Sequence, residues 1–270
     1  MPELPEVETT VRALRQPLIG SAITEVRNDW PGHIVTPDLE ELRARIYGQR
    51  IEAINRRGKY LIFTLSGGET LIIHLKMSGH LAVVGADTPT HKHVHTIFRL
   101  ADGRELRFRD MRKFGRVYLV ADPAEIVGKL GPEPLSPEFT VDLLTSRLAG
   151  RKRALKPLLL DQTVVAGIGN IYADEALFYA GLDPRRTAVS LTPAEITRLH
   201  AAIQKVLKLG IAREGASIDL YVKPDGSKGD MQNAVAVFRR TGKPCYACHT
   251  PIVRIVLGGR STHFCPHCQR

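Results

Sequence analysis

The sequence predicts a multidomain α+β protein. We expect an N-terminal antiparallel β-sandwich, or a flattened barrel, with flanking helices, then a helical part and a C-terminal β-hairpin flanked by cysteines. Three observations predict this fold class. Strand-like runs separated by turn residues fill the first half, the apolar period becomes helical after residue 137, and all four cysteines lie in the last 26 residues. A chain of 270 residues is long enough for two or three domains.

Two short helices flank the beginning of the strand region. Pro5 suits the first turn of a helix whose apolar residues follow at helical spacing, and Asp38 with Glu41 forms a capping-box-like start to a second helix, closed by Gly48. The strand-like runs then follow in the order YLIFTL, TLIIHL, HTIFRL, ELRFR and RVYLV. This succession, with turns between the runs, predicts a meander of antiparallel strands.

The clearest domain boundary is the segment Gly131–Pro137, which contains three prolines. We therefore expect an N-terminal domain over residues 1–132, a helical domain over 133–236 and a cysteine-bearing finger over 237–270. Thr192 and Glu195 form a capping box that opens a long helix. The stretch 213–232 is expected to be a mobile loop.

The charge balance favours a polyanionic partner. Lys and Arg outnumber Asp and Glu by 38 to 28, a formal net charge of +10, and this favours nucleic acid before a membrane. The basic residues concentrate in 99–116 and in 231–270, as a clamp around a phosphate backbone would require. No apolar run reaches about 18 residues and the N-terminus lacks a basic leader, so we expect a cytoplasmic protein without a membrane span.

The four cysteines form two tight pairs, Cys245-x2-Cys248 and Cys265-x2-Cys268, with sixteen residues between them. Two such pairs present four thiolates to one ion, so we predict one structural zinc with no open position for chemistry. Three alternatives use the same residues. Two disulfides fit poorly in a chain without an export signal, and covalent haem at Cys245 to His249 would leave the second pair unused. Histidines could also replace a cysteine ligand, although the four-cysteine set is complete without them.

A glycine-rich turn precedes a helix in the second half. Gly167 and Gly169 lie just before Asn170, which we expect to cap that helix. Backbone N–H groups that face outward at such a turn make a seat for phosphate. An ordinary helix–turn–helix connection in a core explains the same residues equally well.

Pro2 follows the initiator methionine, and removal of Met1 would leave a free secondary amine. An unperturbed α-amino group has a pKa of about 7.7–8.0, so this amine can act as a neutral nucleophile that forms an iminium ion with an aldehyde. Glu3 and Glu6 beside it are candidate proton donors or orienting groups. The same residues would also make an ordinary beginning of a chain.

Seven segments, in this order, resemble bacterial formamidopyrimidine-DNA glycosylase over essentially the whole chain: PELPEVE, RRGKYL, HLKMSG, KHVH, DMRKFG, GIGNIYADEALF and the four-cysteine finger. The resemblance implies a β-sandwich domain, a helix–two-turns–helix domain and a zinc finger, with DNA in the cleft between two lobes. It also implies a base-excision repair enzyme of the bacterial cytoplasm, associated with the nucleoid and acting as a monomer. Such an enzyme flips out and removes 8-oxoguanine and formamidopyrimidines from double-stranded DNA. It then cuts the abasic site by β,δ-elimination, as a bifunctional glycosylase and lyase.

The resemblance implies roles for particular residues. It makes Pro2 the Schiff-base nucleophile, Glu3 the proton donor for sugar opening, and Lys59 the lysine of phosphate contact and β-elimination. Arg260 falls on the arginine that grips phosphate beside the flipped nucleotide and is linked to δ-elimination. Lys156 falls on a lysine implicated in handling the oxidised purine. The positions that contact DNA in the family are His93, Arg112, Arg151 and Asn170.

Base flipping leaves a hole in the duplex, because C1′ cannot be reached inside the stack. The resemblance assigns the filling of this hole to Met77, Arg112 and Phe114. Arg112 and Phe114 are two residues apart, so an extended backbone would point both side chains the same way. Arginine can then hydrogen-bond the orphaned cytosine while phenylalanine wedges the stack. Core packing is the alternative for Met77 and Phe114.

The chain departs from the family pattern at three places near these residues. Lys76 stands where the family commonly has glycine, and Met111 and Lys113 stand where it commonly has proline and arginine. His91, His93 and His95 alternate as a metal site on a strand would, but a flat strand does not offer convergent ligand geometry.

Two other functions compete with this one. An endonuclease VIII-like glycosylase for oxidised pyrimidines would share the proline and the finger, but Leu4 and the full set of void-filling residues argue against it. A non-catalytic lesion-binding protein is argued against by the presence of Pro2, Glu3 and Lys59 together.

Overall fold

The computed structural model describes all residues 1–270, and they form two compact units. Unit 1 comprises Met1–Lys129 and Glu214–Asp230, and unit 2 comprises Leu130–Arg213 and Met231–Arg270. The expected domain 133–236 therefore contains a segment, 214–230, that folds with unit 1. None of the helices combines the length and the apolar character that crossing a membrane requires.

Unit 1 begins with a helix and continues mainly as strands. Its elements are α1 (Leu4–Leu18), β1 (Ile23–Asn28), β2 (Ile34–Thr36), α2 (Leu39–Ile46), β3 (Ile51–Arg57), β4 (Tyr60–Leu65), β5 (Thr70–His74), β6 (Gly79–Gly85), β7 (Val94–Leu100), β8 (Arg104–Asp110), β9 (Arg116–Val120) and α3 (Ala124–Val127).

The strands of unit 1 form two sheets, in the orders β1-β7-β8-β6 and β2-β9-β5-β4-β3. All pairs are antiparallel except β2 with β9. The five predicted strands form, but the predicted meander was wrong. After β5 the chain crosses from the five-stranded sheet to the four-stranded sheet, where it forms β6, β7 and β8. It then crosses back and forms β9 beside β5, so the loops after β5 and β8 connect the two sheets instead of neighbouring strands of one sheet.

One core holds the two sheets and α1 together. In β4 the alternate residues Leu61, Phe63 and Leu65 are buried, as the period of a strand requires. They share an apolar cluster with Val11 of α1 and Phe108 of β8. The predicted α+β class and the N-terminal sandwich are confirmed.

Unit 2 is helical and ends in a hairpin. Its main elements are α4 (Val141–Leu148), α5 (Leu155–Leu160), α6 (Asn170–Ala180), α7 (Pro193–Ala212), β10 (Val253–Leu257) and β11 (Arg260–Phe264). The predicted capping box of α7 forms, with the backbone N–H of Thr192 donating to Glu195 Oε2 at 2.8 Å. Helices α6 and α7 pack closely at Gly210, where an added Cβ would lie 2.6 Å from Cε1 of the buried Tyr172.

Candidate functional site

Pro2 and Glu3 lie directly before α1, and both are buried. Glu3 is the residue before the helix, and it forms a capping box with Glu6, whose Oε2 accepts from the backbone N–H of Glu3 at 2.8 Å. The other oxygen, Oε1, accepts from the backbone N–H of Ala216 at 2.7 Å. Glu6 therefore joins the beginning of α1 to the segment 214–230.

The segment 214–230 has no helix or strand but is anchored at its beginning. Gly215 has φ +83°, and an added Cβ would lie 2.8 Å from Cγ of Glu6, so both its backbone and its surroundings require glycine. The hydroxyl of Tyr221 donates to the carbonyl of Glu6 at 3.3 Å. Burial, with the nearby Glu6 charge, raises the pKa of Tyr221, which keeps this hydroxyl a donor. The mobility expected of this loop stays a prediction.

Lys59 lies in the turn between β3 and β4 and is 5% exposed. Arg56, at the end of β3, donates from Nε to Glu8 Oε2 of α1 at 3.1 Å and from Nη1 to the carbonyl of Gly58 at 3.1 Å. Burial of Glu8 works against its charged form, but Arg12 and Arg56 lower its pKa. This ion pair ties the turn that carries Lys59 to the helix that Pro2 and Glu3 precede.

His74 is a neighbour of this turn that the sequence analysis missed. It lies opposite Tyr60 across β4 and β5, with the two ring centroids 4.5 Å apart. Burial, and then the charges of Lys76 and Lys59, lower its pKa to about 3. Its Nδ1 accepts from the backbone N–H of Lys76 at 2.9 Å, so the neutral ring carries its proton on Nε2. A histidine inside an apolar strand run was the only signal in the sequence.

The predicted void-filling residues lie on two loops of unit 1, Met77 after β5 and Arg112 with Phe114 after β8. Met77 is 37% exposed and Phe114 is 45% exposed, so the core-packing alternative was wrong. The guanidinium carbon of Arg112 lies 5.1 Å from the ring centroid of Phe114. The expected extended backbone was also wrong, because Lys113 has φ +60° in a tight turn.

Asp110 stabilises the turn that contains residues 111–114. Its carboxylate accepts from the backbone N–H of Arg112 at 3.3 Å and from that of Gly115 at 2.6 Å. The turn, and not a strand, therefore brings Arg112 and Phe114 to the same side.

His93 precedes β7 and is partly exposed. Partial desolvation and then the charge of Lys92 lower its pKa. The three alternating histidines do not converge, because Nδ1 of His95 lies 2.8 Å from Asp29 Oδ1 while His91 accepts from the backbone N–H of His93 at 3.2 Å. An open pocket of about 410 Å³ lies beside His93. Its lining residues are Ser78, His91, Lys92, His93, Arg109, Met111 and Leu220.

Lys156 lies in α5 with no exposed side-chain surface. Its Nζ lies 2.6 Å from Asp174 Oδ1 of α6 and donates to the carbonyl of Ser261 in β11 at 2.6 Å. Asp174 Oδ2 accepts from the backbone N–H of His263 at 2.9 Å and lies 3.0 Å from its ring Nδ1. The ammonium of Lys156 thus lies inside a network that fastens the hairpin to two helices.

Asn170 is the first residue of α6, and the residue that caps the helix is Gly169, so the expected cap was wrong. The Asn170 side chain faces the hairpin, with Nδ2 3.5 Å from Ser261 Oγ, and its buried Oδ1 has no hydrogen-bond partner. In the turn before α6, Gly167 has φ +86°, a left-handed backbone conformation that favours glycine. Whether this turn seats phosphate stays a prediction.

Arg260 is exposed at the tip of the hairpin, where Gly258 and Gly259 form the turn. A pocket of about 290 Å³ lies beside it, and its lining residues are Arg153, Pro157, Leu160, Asp161, Gly258 and Arg260. In unit 2, Asn170 of α6 therefore lies beside the hairpin that carries Arg260. Arg151 follows α4, and its Nε donates to the carbonyl of Arg147 at 2.7 Å.

The four cysteines converge as the sequence predicts. Sγ of Cys245 lies 3.9 Å from that of Cys268, Sγ of Cys248 lies 3.4 Å from that of Cys265, and all four sulfur atoms lie within 4.8 Å of one another. Zinc–sulfur bonds of ~2.3 Å give a tetrahedron with edges of about 3.8 Å. Burial and the neighbouring sulfur atoms raise the pKa of Cys268, and a dication would offset this cost of crowded thiolates. The residues therefore fit zinc.

Three family models match the chain in succession. The N-terminal domain of formamidopyrimidine-DNA glycosylase matches residues 1–117, its H2TH domain matches 130–222, and a zinc finger found in FPG and IleRS matches 242–270. The last match, with the four convergent sulfur atoms, establishes one structural zinc site.

Relatives and solved structures match over the full length. The chain is 49% identical to the formamidopyrimidine-DNA glycosylase of Symbiobacterium thermophilum, covering 100% of this chain and 89% of the relative. The enzyme of Geobacillus kaustophilus is 46% identical, with both chains fully covered. The crystal structure of the MutM (Fpg) protein of Thermus thermophilus superposes with a TM-score of 0.90 at 43% identity, covering 99% and 98% of the two chains. Lactococcus lactis Fpg in complex with DNA containing an abasic site superposes with a TM-score of 0.93 at 38% identity, covering 99% of each chain.

Proposed function

The chain belongs to the formamidopyrimidine-DNA glycosylase family, and we propose that it removes oxidised purines, 8-oxoguanine and formamidopyrimidines, from double-stranded DNA and then cuts the abasic site. The related Lactococcus lactis protein has been crystallised with DNA containing Fapy-dG and with DNA containing an abasic site. The observation that carries the proposal is the placement of Pro2 and Glu3 directly before α1, with the Lys59 turn tied to the same helix through Arg56.

Pro2 is the proposed nucleophile. After removal of Met1, its neutral secondary amine attacks C1′ of the flipped nucleotide, and the glycosidic bond from C1′ to the base breaks. The electron pair of that bond leaves with the base, which takes up a proton, and the attacking nitrogen loses its own proton. Opening of the sugar gives an iminium ion, which acidifies the C2′ proton so that the 3′ phosphate can leave. The pyrrolidine ring of proline prevents rotation about the N–Cα bond, and this presents the nitrogen in one direction.

Glu3 and Lys59 have supporting roles in this proposal. Glu3, held at the helix start by its capping box with Glu6, protonates the ring oxygen as the sugar opens. Lys59 contacts phosphate and assists β-elimination. Its turn lies beside neutral His74, whose pKa is about 3. This imidazole adds no positive charge beside the ammonium group.

The remaining residues bind and open the duplex. Arg260 and Asn170 on the hairpin side of unit 2, with Arg151 after α4 and His93 in unit 1, contact the backbone, and Arg260 assists δ-elimination. Basic side chains that neutralise phosphates supply most of such affinity. The exposed side chains of Met77, Arg112 and Phe114 fill the hole left by the flipped base. The protein acts as a monomer in this proposal.

The test uses duplex DNA with one 8-oxoguanine opposite cytosine. Incubation should produce a nick at the lesion, and borohydride added during the reaction should trap a stable protein–DNA adduct. Peptide mass mapping should place the adduct at residue 2. Pro2→Gly should trap and nick far less while still binding DNA, and a preparation that retains Met1 should show the same loss.

Three outcomes would contradict parts of the proposal. An adduct at Lys59 or Lys156 would replace the proline with a lysine nucleophile. Cutting of duplexes with oxidised pyrimidines but not of the 8-oxoguanine duplex would indicate the endonuclease VIII-like specificity. Binding to lesion DNA without excision, from protein shown by mass to lack Met1, would indicate a non-catalytic protein.

A further inference from the structure

A buried carboxylate lies between the two loops that carry the void-filling residues. Asp110, at the end of β8, is fully buried, and its Oδ1 accepts from the hydroxyl of Ser78 on the loop after β5. Ser78 Oγ in turn accepts from the backbone N–H of Arg112 at 2.9 Å. Asp110 Oδ2 accepts from the backbone N–H of Gly115 at 2.6 Å. The two loops are thus joined to each other through these two side chains, which we call the Ser78–Asp110 clasp.

The clasp lies against buried side chains of unit 1. His33 is fully buried, with Nε2 3.4 Å from Asp110 Oδ2 and Nδ1 3.0 Å from Thr96 Oγ1. Its ring stacks on Phe108, with centroids 4.7 Å apart. Burial opposes the charged form of Asp110, but the neighbouring His33 ring and hydrogen bonds from Ser78 and Gly115 lower its pKa to about 2. Asp110 is therefore ionised at working pH and accepts hydrogen bonds through both oxygens.

The backbone of both loops lies close to the same ring. An added Cβ at Gly79 would lie 2.7 Å from Cε2 of Phe108, and one at Gly115 would lie 2.7 Å from Cε1 of Phe108. The loop after β5 ends at a glycine and the loop after β8 contains one, so a side chain at neither position keeps the backbone away from the Phe108 ring. This close approach lets one serine hydroxyl reach both the carboxylate and the backbone of the other loop.

We propose that Ser78 and Asp110 are positioning residues for base flipping. The clasp holds Met77 on one loop and Arg112 with Phe114 on the other as one preorganised group, so that the three side chains enter the duplex together. Asp110 has no exposed surface and Ser78 is 9% exposed, so both act through their neighbours. The inference rests on the proposed function, because it takes the role of the three exposed side chains from it.

The physical reason is the entropy of two independent loops. Filling the hole requires three side chains on two loops to adopt one geometry, and each segment that must be ordered at that moment adds to the barrier. Loops that are already joined have lost this freedom on folding. Loss of the clasp should therefore slow the step that opens the stack more than any later step.

The experiment compares Ser78→Ala with a matched control, Thr96→Val. Thr96 is also fully buried and belongs to the same network through His33, but it lies on neither loop. Single-turnover excision of 8-oxoguanine opposite cytosine should fall roughly tenfold in Ser78→Ala, at the low end of what the two buried hydrogen bonds of the Ser78 hydroxyl are worth. Cutting of a preformed abasic site, where flipping costs less, should fall by less than about threefold. Thr96→Val should change both rates equally, and Ser78→Thr, which keeps the hydroxyl, should restore excision.

A second measurement uses the free protein. Amide hydrogen exchange should accelerate at Arg112 and Gly115 in Ser78→Ala, although the substitution lies on the other loop, and should stay unchanged there in Thr96→Val. Equal losses on both DNA substrates, or unchanged exchange at Arg112 and Gly115, would overturn the clasp. If the wild-type protein does not excise 8-oxoguanine, the proposed function is wrong instead. The hydrogen-exchange measurement on the free protein would then still test whether Ser78 and Asp110 join the two loops.

Discussion

The buried pair of Lys156 and Asp174 predicts a large and asymmetric effect on stability. Both side chains have no exposed surface, and their charged atoms lie 2.6 Å apart. Asp174→Asn removes the charge at constant shape and leaves the ammonium of Lys156 buried beside the Ser261 carbonyl. Removal of one partner of a buried pair costs ~3–5 kcal/mol, so the free energy of unfolding should fall by that amount.

Lys156→Met should cost less, about 1–3 kcal/mol. The carboxylate of Asp174 would still accept from the backbone N–H of His263 at 2.9 Å and from its ring Nδ1 at 3.0 Å. These two hydrogen bonds partly compensate the buried negative charge. The double variant should be less destabilised than the sum of the single variants, because neither buried charge then lacks its partner. Urea unfolding of the zinc-loaded protein, followed by the helical circular dichroism signal, measures these free energies by linear extrapolation.

The same variants separate two roles for Lys156. If the ammonium handles the oxidised purine, Lys156→Met should lose 8-oxoguanine excision at nearly unchanged stability. The buried network predicts instead that stability and DNA affinity fall together, since β11 carries Arg260. Equal unfolding free energies for wild type and Asp174→Asn, or additive losses in the double variant, would refute the reasoning.

Three further predictions concern the metal, the charge and the pH dependence. Metal analysis should find one zinc per chain, and chelation should abolish DNA binding while the sandwich of unit 1 stays folded, whereas Arg260→Ala should keep the metal and lose affinity; full binding after chelation would contradict this. If about five phosphates are neutralised, the logarithm of the DNA affinity should fall against the logarithm of salt concentration with a slope near −4.5, and a slope near zero would place the basic stretches away from DNA. Because the pKa of His74 is lowered from 6.5 to about 3 on folding, unfolded chains bind a proton between these values that folded chains do not, so stability should fall as the pH decreases from 6.5 towards 3. His74→Gln should flatten this dependence in acid titrations followed by unfolding, and an unchanged slope would exclude His74 as its source.

Local patterns predicted the elements but not their partners. The run YLIFTL shows the period of a strand, and β4 forms over those residues with alternate side chains in the core. The same pattern carries no information about which strand lies beside it, so the meander was wrong. The chain changes sheet at the loops after β5 and β8, and at these loops Ser78 and Asp110, 32 residues apart in the sequence, are hydrogen-bonded to each other.

Some residues of the candidate site could be predicted from the sequence and others could not. Metal ligands and the N-terminal proline are visible in the sequence because spacing and chain position define them. Lys156 and the segment 214–230 are different, since their environment depends on residues up to 210 positions away, as in the bond from the backbone N–H of Ala216 to Glu6. A sequence pattern places a lysine at the surface by default, and only the fold shows that this one is buried.

Helix α6 shows why such residues lie beyond sequence patterns. Asp174 and Glu175 are adjacent and both buried, where an amphipathic helix would expose at least one. Asp174 binds His263 of β11, while Glu175 accepts from the backbone N–H groups of Ala236, Val237 and Phe238 at 2.7–2.9 Å. Each carboxylate satisfies donors on a different side of the helix. These two neighbouring acids thus hold both the chain around residues 236–238 and the strand that carries Arg260. The position of the finger therefore depends on two carboxylates that the sequence alone would predict to be exposed to solvent.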